Sequence, residues 1–231
     1  MTDILKIVLP PLLNFLIIVA IILFLLAMRE RLAQLFDTLG IKSAEIPGGF
    51  KLERFETLTV EAYTKQALGP PSKDDRRKIK RIGTYLAPLA EGRRILWVDD
   101  YPGGNTPERA ALLELRIDVQ TRRTTEEAMA ELGDPNETYD VVISDWNRPQ
   151  EGPEAGLRLL REMRKEHVAI PLIFYHGKVG PDRLARRRQP AHEEGAVGAT
   201  GSPGELFRWT MIELVKKSLL EEDVSLATPA S

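Results

Sequence analysis

The stretch RILWVDD, residues 94–100, decides the fold. Four consecutive large apolar side chains, 95–98, run into two aspartates. A short, continuous apolar run of this kind is typical of a parallel strand that is buried on both faces. The acidic pair then lies at the carboxyl end of that strand, which is where open α/β sheets bind their ligands. The stretch therefore predicts an α/β sheet with an acidic site at one edge.

Further short apolar runs alternate with helical patterns along the rest of the chain. This alternation predicts a mostly parallel sheet covered on both faces, and right-handed crossovers make a doubly wound, five-stranded topology the simplest arrangement. The predicted strands are 95–98, 117–121, 141–144, 172–175 and 197–200. The predicted helices are 107–115, 125–132, 153–167, 181–194 and 204–220.

The N-terminal segment predicts a membrane anchor at residues 1–28. Residues 4–28 read ILKIVLPPLLNFLIIVAIILFLLAM, with Lys6 as the only charge. As a helix this segment is about 37 Å long, enough to cross a hydrocarbon core of about 30 Å. A cleaved signal peptide is the competing interpretation, but the start lacks a basic region and the apolar run lacks a small-x-small cleavage site.

The charge distribution predicts a single-pass membrane protein with its C-terminal domain in the cytoplasm. Arg29 and Arg31 follow the apolar run directly, and such residues favour the cytoplasmic side. The chain has no cysteine, which excludes disulfides and thiolate metal sites. Lys plus Arg number 32 against 34 Asp plus Glu, so the balance offers no electrostatic case for a nucleic-acid partner.

Residues 29–92 predict a partly helical juxtamembrane linker, since they lack the hydrophobic density of a core. Residues 50–55 suit a short strand or a surface-lying segment, and helices are expected at 56–68 and 72–89. Ser72 is a suitable N-cap, with Asp75 at the third helical position. The charged run at 73–81 fits a solvated helix face or contact with anionic lipid head groups. Residues 221–231 predict a flexible tail.

Three aspartates are expected to meet at one edge of the sheet. Asp99 and Asp100 end the first strand, and Asp145 ends the third in the stretch VVISDW, 141–146. Carboxylates in one crevice repel each other unless a cation or a raised pKa relieves them. A hard divalent ion such as Mg²⁺, held by oxygen ligands, suits this arrangement. The alternative is that these aspartates merely begin loops.

These motifs resemble the receiver domain of two-component response regulators. The resemblance covers 93–220 and rests on the aspartate pair, the single Asp145 and Pro149 four residues beyond it. It implies a flavodoxin-like fold, a place in phosphorelay signal transduction, and Asp145 as the phospho-acceptor. The magnesium ligands that it implies are Asp99, Asp100, Asp145 and the backbone carbonyl of Asn147.

The chain departs from the receiver pattern at three positions. His176 stands where the family places Ser or Thr, Ser202 where it places Lys, and Ala199 where it places an aromatic residue. Losing the Lys removes a fixed positive charge, and charge-assisted contacts are roughly twice as strong as neutral ones. The departures put phosphotransfer in question and leave the predicted fold unchanged.

Several side chains beside the crevice have open roles. Trp146 and Arg148 follow Asp145, and Arg148 could bind an anion or pair with one of the carboxylates. His176 is either a polar residue at a strand end or a partial replacement for the missing cation. A run of arginines in the fourth helix of the domain fits a solvated face and, by resemblance, a partner surface. These arginines are Arg183, Arg186, Arg187 and Arg188.

The favoured interpretation is a membrane-tethered, non-enzymatic signalling or interaction module with a protein partner; homo-oligomer formation stays open. One alternative is a Mg²⁺-dependent phosphoryl-transfer enzyme or hydrolase, for which His176 is the only candidate general acid or base. Another is a TIR-like, nucleotide-processing effector, which needs a catalytic glutamate. Glu151 and Glu154 are the nearby candidates for that role.

Overall fold

The structure is a computed structural model that describes residues 52–177 and 180–227. All of these residues belong to one compact unit. The predicted anchor at 1–28 and the linker up to 51 lie outside the described residues, so membrane attachment stays a prediction. Within 52–177 and 180–227, no helix combines the length and apolar character needed to cross a membrane.

A single parallel sheet of five strands forms the centre of the domain, as the sequence predicts. Its strand order is β2-β1-β3-β4-β5, and every neighbouring pair is parallel. This is the flavodoxin-like order of doubly wound folds. The strands are β1 (Arg94–Val98), β2 (Asp118–Arg122), β3 (Val141–Ser144), β4 (Leu172–Tyr175) and β5 (Gly198–Thr200).

Helices cover both faces of the sheet, and side chains alternate between two apolar clusters. Along β1, Ile95 and Trp97 enter one cluster while Leu96 and Val98 enter the other, because successive side chains of a strand point to opposite faces. The helices are α1 (Leu52–Lys65), α2 (Lys73–Arg81), α3 (Thr106–Glu114), α4 (Thr125–Leu132), α5 (Ala155–Lys165), α6 (Pro181–Glu193) and α7 (Pro203–Ala227). A π turn (Ile82–Leu86) and 3-10 turns (Ala87–Leu89 and Pro102–Asn105) complete the elements.

The two edge strands of the sheet differ from the central ones. Every residue of β2 is only partly buried, and the strand begins and ends on the charged residues Asp118 and Arg122. β5 has three residues, and its Gly198 lies under the ring of Trp209, where a Cβ would come within 2.9 Å of the ring. Both edges therefore expose little apolar strand surface.

Residues 52–92 contribute side chains to the hydrophobic core, which differs from the linker expected there. Phe55 of α1 is fully buried and packs edge-to-face on Phe207, with ring centroids 5.4 Å apart. Ile79 and Ile82 join the same cluster. Leu52 begins a helix, so the strand or surface segment expected at 50–55 is absent from the described residues 52–55.

The start of α2 agrees with the N-cap predicted from the sequence, whereas α7 ends later than predicted. Ser72 caps α2 in a capping box, accepting from the backbone N–H of Asp75 while the Asp75 carboxylate accepts from the backbone N–H of Ser72. This reciprocal pair confirms the predicted cap. At the other end of the chain, α7 continues through Ala227 and so includes most of the predicted tail.

Candidate functional site

An acidic crevice lies at the carboxyl ends of β1 and β3. Asp99 and Asp100 follow β1 and Asp145 follows β3, and the register pairs Val98 with Ser144, so these aspartates lie on adjacent strands. All three carboxylates line one crevice of about 360 Å³, as expected from their positions in the sequence. The rest of its lining consists of Lys65, Gln66, Tyr101, Gly104, Asn105 and Gly177.

Asp99 is the most enclosed of the three acids. Its side chain is buried, and its two oxygens accept from the backbone N–H of Tyr101, at 2.7 Å, and from the side-chain amide of Asn105. Burial raises the pKa of Asp99, and the charges of Asp145 and Asp100 raise it further, although both hydrogen bonds oppose the shift. The repulsion expected from the sequence is therefore present.

Asp100 is less buried than Asp99, and its pKa is also subject to opposing effects. Burial raises the pKa of its carboxyl, the charge of Asp145 adds to that shift, and the charge of Arg148 opposes it. Each of these acids is thus easier to protonate than a free aspartate. Neutralising charge, whether by a proton or by a cation, is favoured in this crevice.

The donor chemistry of the crevice fits Mg²⁺. Carboxylate oxygens from three aspartates are the hard ligands that this ion prefers, whereas Asn147, whose backbone carbonyl was the fourth predicted ligand, is not among the residues that line the crevice. The described residues contain no group of three or more acidic, His or Cys side chains already arranged as ligands. Magnesium binding by Asp99, Asp100, Asp145 and Asn147 therefore remains a prediction.

Arg148 holds the loop after β3 together and takes neither of the roles expected from the sequence. It is fully buried, and every N–H of its guanidinium donates a hydrogen bond, so none remains for an anion in the crevice. Its charge is paired with Glu151. Its other acceptors are the hydroxyls of Ser144 and Thr125 and the carbonyls of Asp145 and Ala155.

Glu151 is tied to the same network. Burial alone would raise its pKa, but hydrogen bonds from Arg148 and from the backbone N–H of Thr125 lower the pKa to about 2. Arg158 adds a second ion pair at 3.2 Å. A carboxylate fixed in this way stabilises the loop and is poorly suited to accept a proton, while Glu154, the other glutamate considered, is exposed.

His176 is fully buried at the end of β4, beside Asp145. Arg187 Nη1 lies 3.2 Å from His176 Nδ1, and because arginine can only donate, Nδ1 must accept. Nδ1 also lies 3.6 Å from Asp145 Oδ1. Burial lowers the pKa of the imidazole, with Arg187 adding to that shift and Asp145 opposing it. His176 is therefore a neutral acceptor for Arg187, and its unprotonated Nδ1 cannot donate to Asp145.

Arg187 faces the interior, which corrects its assignment to an exposed partner surface. It is 9% exposed, and its guanidinium lies over the ring of Trp146 at 5.4 Å from the centroid. Trp146 is itself buried, packing edge-on against Phe174 at 4.8 Å and His176 at 5.9 Å. The other arginines of the run, Arg183, Arg186 and Arg188, are exposed.

Ser202 lies away from the acidic crevice. Its hydroxyl is 3.4 Å from the hydroxyl of Tyr63 and 3.5 Å from the backbone N–H of Glu205, near the start of α7. It lines a separate groove of about 860 Å³, bounded by the end of α1, α6 and the start of α7. The residue that stands in the position of the family's Lys therefore contributes neither charge nor contact to the crevice lining.

Helix α1 supplies crevice residues that the sequence did not indicate. Lys65 and Gln66 lie at the end of α1 and line the crevice, and Lys65 Nζ donates to the carbonyl of Gly103 at 2.9 Å. Gln66 also donates to the fully buried Glu108, which accepts from Tyr175 as well. The helical pattern of α1 shows an apolar face but does not show which surface that face covers, so no signal pointed to the crevice.

Comparison with known proteins finds matches among solved structures only. No family model matches the sequence, and no curated protein matches it. Eight of the similar structures are receiver domains or chemotaxis response regulators, with identities of 15–24% and TM-scores of 0.41–0.44. At this level the likeness concerns the fold alone and says nothing of phosphorylation or metal binding in this chain.

Three of these structures are examples of the identity, TM-score and coverage of the matches. The non-phosphorylated HemR receiver domain of Leptospira biflexa is 24% identical, with TM-score 0.42, and the match covers 53% of this chain and 94% of that one. The CheY-like receiver domain protein of Methanospirillum hungatei JF-1 is 20% identical, with TM-score 0.43, covering 56% and 98%. Chemotaxis response regulator CheY4 of Vibrio cholerae is 22% identical, with TM-score 0.41, covering 53% and 98%.

Proposed function

We propose that this chain is a membrane-tethered, receiver-like signalling module that acts through protein contacts and keeps no lasting phosphoryl group on Asp145. The observation that carries the proposal is that two of the three departure residues, His176 and Ser202, make contacts with other parts of the domain. His176 accepts from Arg187 inside the domain, and Ser202 contacts Tyr63 outside the crevice. Neither is available to support a phosphoryl group on Asp145.

Attack of a carboxylate on a phosphoryl group requires the charge on the transferring oxygens to be neutralised. A bound Mg²⁺ would supply part of that neutralisation, and Asp99, Asp100, Asp145 and Asn147 are the residues that would hold it. The rest would have to come from a side-chain cation. Ser202, on the loop after β5, is neutral, and Lys65, the cation in the crevice lining, already donates to the carbonyl of Gly103. The crevice therefore suits cation binding better than it suits a stable phospho-aspartate.

Two of the three candidate proton carriers of the enzymatic alternatives, His176 and Glu151, are poorly placed for that role. His176 is fully buried, and the nitrogen that lies near Asp145 already accepts from Arg187. Glu151 is ion-paired to Arg148 and Arg158, with its pKa held at about 2. A general acid or base needs a pKa near the working pH and access to substrate, and neither residue combines the two.

The phosphorylation part of the proposal is tested with the purified full-length chain, Mg²⁺ and a small phosphodonor such as acetyl phosphate. Intact-mass measurement should show no lasting adduct on the wild type, while an unrelated working receiver under the same conditions should be modified. Ser202→Lys should increase any adduct, because it restores a cation on the loop after β5, at the position where the family places its Lys. A stable, stoichiometric adduct on Asp145 of the wild type would overturn the proposal.

The membrane part is tested separately. The full-length chain should sediment with membranes and resist carbonate extraction, and deletion of residues 1–28 should release it. Protease added to sealed cells should leave 93–220 intact, because Arg29 and Arg31 favour a cytoplasmic domain. Recovery of the full-length chain in the supernatant would remove the anchor, and external cleavage of the domain would reverse its orientation.

A further inference from the structure

The C-terminal part of α7 carries an exposed apolar patch at the end of the domain opposite the acidic crevice. Leu89, Leu219 and Leu220 are 48%, 51% and 66% exposed. Ser218 donates to the carbonyl of Leu89 at 2.7 Å, and Arg93, directly before β1, donates to the hydroxyl of Ser218. The patch therefore lies where the strands of the sheet begin. Apolar surface that stays exposed in this way is typical of an interaction site.

Two ion pairs fix which side of α7 faces outward. Lys217 Nζ lies 2.8 Å from a carboxylate oxygen of Asp140, directly before β3. Arg93 Nη2 lies 2.6 Å from a carboxylate oxygen of Glu221. Leu214, on the same side of the helix, is fully buried in the core. The opposite side of α7 therefore faces away from the domain.

The outward side of α7 combines apolar side chains with charges of both signs. Ile212 and Leu219 are exposed and lie about two turns apart, and Lys216 lies between them with a side chain that is 62% exposed. Asp223 follows Leu219 by about one turn. Lys216 pairs with Glu213 of the same helix at 2.7 Å, but a pair this exposed contributes little. Along this side, Leu219 therefore has a basic residue before it and an acidic residue after it.

This order is complementary to itself in the antiparallel direction. If two copies of α7 cross antiparallel at Leu219, a two-fold axis passes between the two Leu219 side chains. Lys216 of one copy then lies beside Asp223 of the other, and the symmetry makes this contact twice. A parallel pair would instead bring each charge next to its equivalent in the other copy, which is repulsive.

We propose that the outward side of α7 at 212–223 binds a second copy of this chain, in an antiparallel, two-fold symmetric crossing centred on Leu219. A single helix crossing buries less than the roughly 1,200 Å² of a standard interface, so the contact is weak and reversible. A lipid surface suits the patch less well, because the acidic run at 221–223 is repelled by anionic head groups. The inference goes beyond the proposed function and does not depend on it, since it involves neither the crevice nor Asp145.

Cross-linking through introduced cysteines tests the crossing, because the chain has no cysteine of its own. The purified full-length Leu219→Cys variant, treated with a short bis-maleimide, should give a covalent dimer. Ile212→Cys should not, since an antiparallel crossing at Leu219 separates the two copies of position 212 by about 21 Å along the helices. Leu113→Cys, at a position of similar exposure on α3, is the control for random collision and should give only a background of dimer.

Equal dimer yields at 219 and 113 would overturn the inference. An equal yield at 219 and 212 would also overturn it, because that result indicates a parallel pair. Absence of a dimer at 219 would overturn it as well, and protection of that thiol by added phospholipid vesicles would then assign the patch to a lipid surface.

Charge reversal in the Leu219→Cys background tests the ionic part of the crossing. Lys216→Glu and Asp223→Lys should each lower the dimer yield by about tenfold, because two-fold symmetry repeats the lost attraction and the new repulsion. The two changes together should restore the yield, since they only exchange the charges. Lys165→Glu, which reverses a lysine at the end of α5 whose side chain is 81% exposed, is the control and should leave the yield unchanged. Failure of the double variant to restore the dimer would overturn the proposed crossing.

Discussion

The phenolic hydroxyl of Tyr63, on α1, lies 3.4 Å from the hydroxyl of Ser202, in the loop after β5. The contact joins α1 to the loop between β5 and α7. It also depends on Gly204, since a Cβ at that position would lie 2.4 Å from the Tyr63 oxygen. The close fit shows that α1 is an integral part of the domain.

Gly204→Ala should destabilise the domain through this contact. Overpacking of a well-packed site costs about 1–3 kcal/mol, which exceeds the gain of about 1 kcal/mol from replacing a helical glycine by alanine. In a Tyr63→Phe background the clashing oxygen is gone, and the same substitution should be neutral or stabilising. Thermal unfolding of the four proteins measures both effects, and an equal loss in the two backgrounds would show that Tyr63 is not the obstacle.

Arg148→Met should be among the most damaging single changes outside the apolar clusters. It removes one partner of a buried ion pair and leaves the acceptors of the loop unsatisfied, at a cost of about 3 kcal/mol or more. Arg158→Met is the matched control, because Arg158 also pairs with Glu151 but is 47% exposed, and it should cost less than about 1 kcal/mol. Denaturant unfolding compares the stabilities of the two variants, and similar unfolding midpoints would contradict the structural role of Arg148.

The ion pair between Arg148 and Glu151 predicts a pH dependence of stability. The pKa of Glu151 falls from 4.5 to about 2 on folding, so its carboxylate contributes stability that is complete above pH 4.5 and is lost as the pH falls through 2. The shift corresponds to about 3 kcal/mol. Stability should therefore decline less steeply with acid in Arg148→Met than in the wild type. Unfolding midpoints measured between these pH values give the slopes, and parallel slopes would contradict the prediction.

The acids of the crevice, Asp99 and Asp100, predict a pH dependence of stability opposite in sign to that of Glu151. The raised pKa values of Asp99 and Asp100 mean that their contribution is complete at low pH and is lost as the pH rises through the folded-state values. Their charges therefore reduce stability at neutral pH. Asp100→Asn should raise the metal-free melting temperature and reduce the stabilisation by Mg²⁺, which approaches about 2.7 kcal/mol at a hundred times the dissociation constant.

Glu126→Gln is the control for Asp100→Asn, because it removes the same charge from an exposed position on α4. It should change neither the metal-free melting temperature nor the stabilisation by Mg²⁺. The absence of any Mg²⁺ effect on the wild type would mean that the crevice does not take the ion.

A fragment that begins at residue 93 should be much less stable than one that begins at 46. The shorter fragment lacks Phe55, Ile79 and Ile82, which are buried in the same cluster as Phe207. Loss of a single buried Phe costs about 3–5 kcal/mol, a large part of the stability of a typical domain. Thermal melts of the two fragments test this, and equal stability would make α1 and α2 dispensable.

The sheet could be predicted because each central strand is a continuous run of apolar residues that can be recognised in the sequence. A central strand such as β1 is buried on both faces, so its apolar run is continuous and cannot be mistaken for a surface segment. The aspartates follow those runs directly, and parallel strands bring their carboxyl ends together. Fold and crevice were therefore both accessible from local patterns.

The contacts made by helices were harder to predict, since a helical period identifies an inward face but not the neighbour that it meets. In α6, four arginines look alike in the sequence, yet only Arg187 is buried. A signal was present: Leu184, Arg187 and Ala191 follow the spacing i, i+3, i+7 of a buried stripe. The charge of Arg187 concealed that stripe, because a buried guanidinium is rare.

The edges of the sheet bear on how copies of this domain behave when crowded together. Exposed edge strands normally invite other chains to add to them, and proteins limit this with charge or by shortening the strand. Here β2 begins and ends on charged residues and β5 is three residues long. Many copies confined to a small area would therefore resist edge-to-edge aggregation, and the surfaces left for reversible contact between neighbours are the helical ones.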